Sequence, residues 1–90
     1  MNERKTIGII GGGQLGLMIA EAARPMGIRT VCLDPAPDAP AGAVCDEHIV
    51  GRFDDAAAVE ELCRRSDAVT YEFENVPGEI LIPLCGKYNI

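Results

Sequence analysis

The sequence predicts an α/β fold in which about four parallel strands form an open sheet with helices flanking it. Short apolar runs rich in β-branched residues alternate along the chain with stretches of helical periodicity. The run Thr6–Ile10 is followed at once by a glycine-rich turn, a helical pattern and a second apolar run. A strand, a glycine turn, a helix and a strand within about thirty residues make a βαβ unit with a right-handed crossover and a parallel, Rossmann-like sheet.

The first βαβ unit occupies residues 6–34. Thr6–Ile10 is short, apolar and β-branched, which predicts a buried first strand. From Gln14 the apolar residues recur at helical spacing, so we predict an amphipathic helix that Pro25 and Gly27 end. A second buried strand follows over Thr30–Asp34 and ends in an acid. The apolar positions that define the helix are Leu15, Met18, Ile19, Ala22 and Met26.

The next segment leads from the second strand to a second helix. Pro35–Gly42 holds three of the chain's six prolines and predicts a loop at the carboxyl end of the second strand. A short third strand is expected at Glu47–Gly51. A helix then begins after a cap by Asp54 or Asp55, both of which can accept hydrogen bonds from the first turn. Its buried face is predicted to consist of Val59, Leu62 and Cys63.

The last third of the chain predicts one more strand and one more helix. Ala68–Tyr71 reads as a fourth strand, and two acids follow just past its end. Gly78–Cys85 predicts a helix that Pro83 cuts or kinks. The final residues, 87–90, stand where a fifth strand would begin. The chain therefore resembles the opening domain of a longer protein.

Composition and charge exclude several classes of function. The formal net charge is −6 with only eight Lys and Arg, which is too few for a basic face that binds nucleic acid. No apolar run approaches the roughly 20 residues of a membrane helix, and the N-terminus lacks a signal-peptide pattern. We therefore expect a cytoplasmic protein without a membrane partner. The four cysteines form no CxxC pair, and His48, the only histidine, is expected at a strand end rather than in a metal site.

The glycines match the pattern G-x-G-x-x-G between a strand and a helix, at Gly11, Gly13 and Gly16. Such a loop favours a polar or anionic ligand at the helix N-terminus. Alternatively, the glycines serve only to let the helix and the sheet pack closely. Asp34 ends the second strand 18 residues after Gly16, where an acid would hold a ribose 2′-hydroxyl of a dinucleotide.

Other residues favour a different ligand. Gln14 places an amide at the rim of the loop, and the proline-rich segment stiffens the region that an adenosine would need. Glu72 and Glu74 follow the fourth strand, at the sheet edge where ligands of open α/β folds bind. Because the two acids are two residues apart, at most one of them faces the crevice in an extended chain. We favour Glu72, which lies nearer the strand end; a solvated loop acid is the alternative.

Three segments together resemble a known family. The segments "IGIIGGGQLGLMIAEAARPMGI", "VCLDPAPDAPAGAVCDEHIVGRFDD" and "DAVTYEFENVP" look like the N-terminal domain of N5-carboxyaminoimidazole ribonucleotide synthetases, the ATPase subunits of phosphoribosylaminoimidazole carboxylase in purine biosynthesis. The resemblance extends from Thr6 to about Pro77. The combination of GGGQLG, DPxxxxPA and YEFEN is far more specific than the glycine pattern alone.

The resemblance implies a three-domain ATP-grasp ligase. Residues 1–90 would form its truncated N-terminal pre-ATP-grasp domain, and the ATP-grasp and C-terminal domains would be absent from this chain. Such enzymes use ATP and bicarbonate to carboxylate 5-aminoimidazole ribonucleotide. ATP and magnesium would bind to the missing ATP-grasp domain, so we expect no catalytic residue, cofactor or metal in this fragment. Members of the family are commonly dimers, so the resemblance also implies a homodimer.

The resemblance also implies particular binding residues. Gln14, Leu15 and Glu72 would contact the ribonucleotide, and the loop that supports them comprises Gly11, Gly12, Gly13 and Gly16. An amide at Gln14 can both donate to and accept from ribose hydroxyls, and Glu72 can accept from the amine that is carboxylated. Leu17 departs from the family, which often has Lys or Arg after the last glycine of the loop. That departure removes a charge from the helix start.

Two other functions stay open from the residues. An NAD(P)-dependent oxidoreductase would use the glycine loop and Asp34. A non-catalytic module would only pack against a partner or complete a dimer.

Overall fold

A computed structural model describes residues 5–71, which form a four-stranded parallel sheet with two α-helices. The helix predicted over Gly78–Cys85 and the fifth strand lie outside the described residues. Two 3₁₀ segments, Arg24–Met26 and Pro40–Ala43, interrupt the connections. In chain order the main elements are β1 (Thr6–Ile10), α1 (Gln14–Ala23), β2 (Arg29–Asp34), β3 (Glu47–Val50), α2 (Ala56–Arg64) and β4 (Ala68–Tyr71).

The sheet has the strand order β3-β2-β1-β4, and every pair of neighbours is parallel. Gly8 of β1 lies opposite Val31 of β2 on one side and Val69 of β4 on the other. This arrangement confirms the predicted α/β fold with an open, Rossmann-like parallel sheet. Because β1 is central, the loop that follows it opens at the middle of the carboxyl edge, between β2 and β4.

Alternate residues of the strands supply two apolar clusters, one on each face of the sheet. The first cluster joins the central strands to α2, and its buried members are Ile10, Val31, Leu33, Val59, Leu62 and Cys63. The second lies on the face of α1 and of the 3₁₀ segment Pro40–Ala43; its buried members are Ile9, Cys32 and Ala41. The predicted buried face of α2 is therefore confirmed.

The face of α1 that meets the protein is not the one that its apolar pattern predicts. The buried residues of this helix are the small ones, Gly16, Ala20 and Ala23. Leu15 and Met18 are about half exposed, at 47% and 56%. Small side chains allow the helix axis to lie close to the sheet, and Ile19 packs beside them against the second cluster. The predicted helix is therefore confirmed over Gln14–Ala23, but of its predicted apolar face Ile19 alone packs against the core, while the other four residues are exposed.

Aspartates fasten the amino-terminal edge of the sheet. Asp46, just before β3, accepts a hydrogen bond from the backbone N–H of Thr30 at 2.8 Å. Asp67, just before β4, accepts one from the N–H of Thr6 at the same distance. Each aspartate also donates its own N–H to the carbonyl of the residue it holds. At the start of α2, Asp55 rather than Asp54 is the N-cap, and its carboxylate accepts from the amides of the first turn.

Candidate functional site

The glycine loop connects the end of β1 to the start of α1 at the carboxyl edge of the sheet. Gly11 has a φ angle of 113°, which a residue with a Cβ rarely adopts. Its N–H donates to the carbonyl of Leu33 in β2 at 2.8 Å, so the loop begins tied to the neighbouring strand. Gly13 is the N-cap of α1, and its carbonyl accepts from the N–H of Leu17.

Gly16 allows the helix to approach its own loop. A Cβ at this position would lie 2.6 Å from the carbonyl oxygen of Gly11, much closer than real Cβ contacts. The third glycine of the pattern is therefore required for packing in this chain. Close packing, which the alternative names, therefore occurs at Gly16, and ligand binding at Gln14 stays a prediction.

Asp34 does not face outward as a ribose-binding acid would. Its Oδ2 accepts a hydrogen bond from the backbone N–H of Gly12 at 2.8 Å, and its Oδ1 accepts one from the N–H of Ala36 at 2.9 Å. Both carboxylate oxygens are therefore engaged by the protein's own backbone. The predicted role of Asp34 in holding a ribose hydroxyl is not supported by this geometry; the acid holds the glycine loop instead.

The proline-rich segment covers the β2 side of the glycine loop. Ala39 and Ala41 are buried, and the N–H of Ala41 donates to the carbonyl of Gly12 at 2.8 Å. A Cβ on Gly12 would lie 2.9 Å from the Cβ of Ala39, so the segment rests directly on the loop. In dinucleotide-binding domains the adenosine lies beside the end of β2. In this chain that region is filled by alanines.

The accessible part of the loop is its helix end. Gln14 is exposed and Leu15 is 47% exposed, so the structure brings these two predicted binding residues together at an open surface. Leu17, the position at which the chain departs from the resembling family, is partly buried against the second apolar cluster. A hydrophobic residue there contributes to packing.

Glu72, the third predicted binding residue, lies outside the described residues, as does Glu74. The described residue before it, Tyr71, is paired in the sheet with Ile10, which immediately precedes the glycine loop. The end of β4 is therefore beside the loop. The proposed contact of Glu72 with a ligand stays a prediction.

His48 supports the segment that closes the loop. It lies in β3, near the strand end as expected, and its Nε2 is 3.2 Å from the carbonyl oxygen of Asp34. Its ring also lies against Gly42, where an added Cβ would be 2.5 Å from Nδ1. Within residues 5–71 no group of three or more His, Cys, Asp or Glu side chains is placed to hold a metal ion.

A pair of thiols behind the loop was not predicted. Cys32 of β2 and Cys45, just before β3, are hydrogen-bonded to each other, although the sequence places them 13 residues apart. The hydrogen bond from Cys32, helped by one from Thr30, lowers the pKa of Cys45 to about 7. The hydrogen bond with Cys45, together with burial, raises the pKa of Cys32. Only the pairing of β2 with β3 could have revealed this contact.

Comparisons with known proteins agree with the fold. The sequence profile of the ribonucleotide synthetase preATP-grasp domain matches residues 4–90. A curated relative from Staphylococcus haemolyticus, an N5-carboxyaminoimidazole ribonucleotide synthase, is 54% identical over 85 residues. That match covers 94% of this chain but 23% of the relative. The chain thus spans under a quarter of the length of this relative.

Solved structures of such enzymes are also similar to this chain in fold and sequence. An N5-carboxyaminoimidazole synthetase from Staphylococcus aureus, complexed with ADP, superimposes with a TM-score of 0.88 and 47% identity, over 98% of this chain and 24% of that one. An N5-carboxyaminoimidazole synthase from Aspergillus clavatus, in complex with ADP and 5-aminoimidazole ribonucleotide, has a TM-score of 0.84 and 35% identity. This second match covers 92% of this chain and 22% of that one.

Among the described residues, no helix has the length and apolar character to span a bilayer.

Proposed function

The chain belongs to the ribonucleotide synthetase preATP-grasp domain family, and we propose that it is the N-terminal, ribonucleotide-binding part of an N5-carboxyaminoimidazole ribonucleotide synthase. The observation that carries this proposal is 54% identity to such a synthase across nearly the whole chain. The relative from Aspergillus clavatus was solved with 5-aminoimidazole ribonucleotide, which supports this compound as the substrate. As the relatives are about four times longer, the activity belongs to a longer protein that contains this domain.

The proposed reaction is the carboxylation of the ribonucleotide's amine by bicarbonate, at the expense of ATP. Bound ADP in two relatives supports ATP as the phosphate donor. We assign ATP and magnesium to the remainder of the longer protein. That assignment rests on the resemblance to the family, in which a separate ATP-grasp domain binds both.

The role of this domain is to bind and orient the ribonucleotide. Gln14 offers one amide that both donates and accepts at an exposed helix start, which suits ribose hydroxyls. Leu15 is its neighbour in the same first turn and would contribute its backbone N–H. Glu72 would accept a hydrogen bond from the amine and so hold the nucleophile in place. Positioning of this kind lowers the entropic part of the activation barrier.

The competing functions are less well supported. A dinucleotide-dependent oxidoreductase needs a free acid at the end of β2 and room for an adenosine, whereas Asp34 is engaged by Gly12 and Ala39 covers the loop. A module that only packs against a partner remains compatible with the exposed residues of α1. The ribonucleotide-binding role and the packing role differ in whether Gln14 affects binding of the substrate.

Steady-state kinetics of the full-length enzyme test the proposal. ADP formation should require both bicarbonate and 5-aminoimidazole ribonucleotide. Gln14→Ala should raise the KM for the ribonucleotide about tenfold, the value expected for losing hydrogen bonds to a bound ligand, and leave the KM for ATP unchanged. Glu21→Ala, an exposed change on the same helix, is the matched control and should alter neither constant.

Two results would contradict the proposal. An enzyme whose ADP formation ignores the ribonucleotide would remove the proposed substrate. Variants at Gln14 and Glu72→Gln that both keep the wild-type KM for the ribonucleotide would favour the packing module instead. The expected homodimer and cytoplasmic location stay predictions, and the dimer can be checked by sedimentation of the same enzyme.

A further inference from the structure

The glycine loop is held on its β2 side by one side chain. Asp34 joins two backbone amides, that of Gly12 in the loop and that of Ala36 at the start of the proline-rich segment. These bonds are 2.8 and 2.9 Å long and involve an acceptor that can carry charge, which makes them stronger than neutral ones. Asp34 is only partly exposed, so water competes weakly for its oxygens.

We propose that Asp34 is a positioning residue for the ribonucleotide, because it fixes Gly12 and thereby the first turn of α1 that carries Gln14 and Leu15. This inference rests on the proposed function, since it concerns how the same site is kept in its binding conformation. Asp34 need not touch the substrate. Its effect is transmitted through two residues of backbone, from Gly12 to Gln14.

Glycines make this support necessary. Gly11, Gly12 and Gly13 follow one another, and glycine has more backbone freedom than any other residue. Hydrogen bonds oppose that freedom here, among them those from Gly11 N–H to Leu33, from Gly12 N–H to Asp34, and from Ala41 N–H to the carbonyl of Gly12. The bond to Asp34 is formed by a side chain, so it can be removed by substitution without altering the backbone.

Its loss should leave a buried amide without an acceptor and let the loop sample other conformations. Gly12 is buried, so its N–H cannot readily turn to water in place of the carboxylate. A ligand that binds only the native conformation of the loop then binds more weakly, by the fraction of molecules in that conformation. ATP, assigned to another part of the protein, is not subject to this penalty.

The chain provides a matched control in Asp46. This aspartate also accepts a hydrogen bond from a partly buried backbone N–H at 2.8 Å, that of Thr30. It lies at the amino-terminal edge of the sheet, opposite to the glycine loop. Asp34→Ala and Asp46→Ala therefore remove the same kind of acceptor, and only the first of them affects the loop. Alanine is used because the amide oxygen of an asparagine could still accept from the same backbone N–H.

The experiment measures kcat and both KM values of the full-length enzyme, together with thermal unfolding. For Asp34→Ala we expect the KM for 5-aminoimidazole ribonucleotide to rise about tenfold, with the KM for ATP within about twofold of wild type. Asp46→Ala should lower the unfolding temperature but leave both KM values unchanged. A purely structural role for Asp34 would reduce the amount of active enzyme without changing either KM.

A second variant covers the case in which Asp34→Ala does not fold. Asp34→Glu keeps the carboxylate and displaces it by one methylene, so it should raise the KM for the ribonucleotide by a smaller factor, about threefold. Wild-type KM values in the folded Asp34 variants overturn the inference and leave the proposed function intact. A wild-type enzyme that does not use the ribonucleotide overturns both.

Discussion

At the scale of the residue, Asp34 has a different role from the one that its position after the glycine motif suggests. An acid at the end of β2 is the mark of a ribose-binding Rossmann domain. In this chain Asp34 is turned toward the backbone of the glycine loop, and Ala39 covers the space beside it. The direction of a side chain depends on its neighbours in space, and the spacing of residues along the sequence does not specify those neighbours.

The cysteines show the same dependence on neighbours, and they yield a pH-dependent prediction. Because hydrogen bonds from Cys32 and Thr30 stabilise its thiolate, Cys45 has its pKa lowered to about 7. Iodoacetamide should therefore alkylate Cys45 with a rate that rises as the pH increases through about 7 and then levels off, since the thiolate is the nucleophile. Peptide mass spectrometry measures this rate for each cysteine separately.

Buried cysteines supply the comparison for this measurement. Cys32 and Cys63 are fully buried and should react far more slowly than Cys45 in the folded protein. Replacing Cys32 with Ala removes the hydrogen-bond donor, so the pKa of Cys45 should move upward, toward its ordinary value of 9.0. A midpoint for Cys45 that is the same with and without Cys32 would contradict the assigned cause.

At the scale of the element, α1 shows how packing distance selects a helix face. Its large apolar residues, such as Leu15 and Met18, lie outward, while Gly16, Ala20 and Ala23 face the sheet. A periodic pattern predicts that a helix exists, and small residues decide how closely it lies to the strands.

Gly16→Ala tests the close approach of α1 to its loop. Inside a helix this change normally stabilises by roughly 0.5–1 kcal/mol. Here the added Cβ would meet the carbonyl oxygen of Gly11 at 2.6 Å, and a backbone atom cannot easily move away. We therefore expect the free energy of unfolding to fall by at least about 2 kcal/mol in urea titrations followed by circular dichroism.

Gly27→Ala is the control for this substitution. Gly27 has a φ angle of 75°, and an added Cβ would meet no atom within 4 Å. Its cost should come from the left-handed backbone alone, about 1 kcal/mol. If Gly16→Ala were as stable as wild type, the close contact between helix and loop would be refuted.

At the scale of the whole molecule, the topology collects the proposed site at one edge. The order β3-β2-β1-β4 places the glycine loop between the carboxyl ends of β2 and β4. The β2 side is closed by the proline-rich segment, with His48 of β3 behind it. Within residues 5–71, the exposed part of the loop lies at the first turn of α1, beside the end of β4, and a ligand is expected there.

This asymmetry predicts that the chain does not bind a nicotinamide dinucleotide. Titration of NADH with the chain should give no saturable fluorescence enhancement at micromolar concentrations, because the adenosine region is filled by Ala39 and Ala41. Circular dichroism must show that the chain is folded during the titration, and an NAD-binding dehydrogenase domain serves as the positive control. Saturable enhancement would restore the oxidoreductase hypothesis and argue against a ribonucleotide synthetase.

Most of the fold follows from local sequence, because its signals are local. The β-branched run at Thr6–Ile10, the acid cap at Asp55 and the glycine at position 27 each act on their own few residues, and all of them lie where the pattern predicts. Family membership also came from the letters, through three motifs in order. For Gln14 and Leu15 the sequence supplied the candidates, and the exposure of both residues is compatible with binding.

The remaining features required residues distant in sequence to be brought together. The hydrogen bond between Gly12 and Asp34 spans 22 positions, and the thiol contact of Cys32 with Cys45 spans 13. Such contacts follow from the register of parallel strands and from the depth at which α1 packs. Residue types and their spacing thus specified the strands, the helices and the family. The direction of Asp34 depended on the residues that pack around it, and so did the class of ligand that we expect the loop to accept.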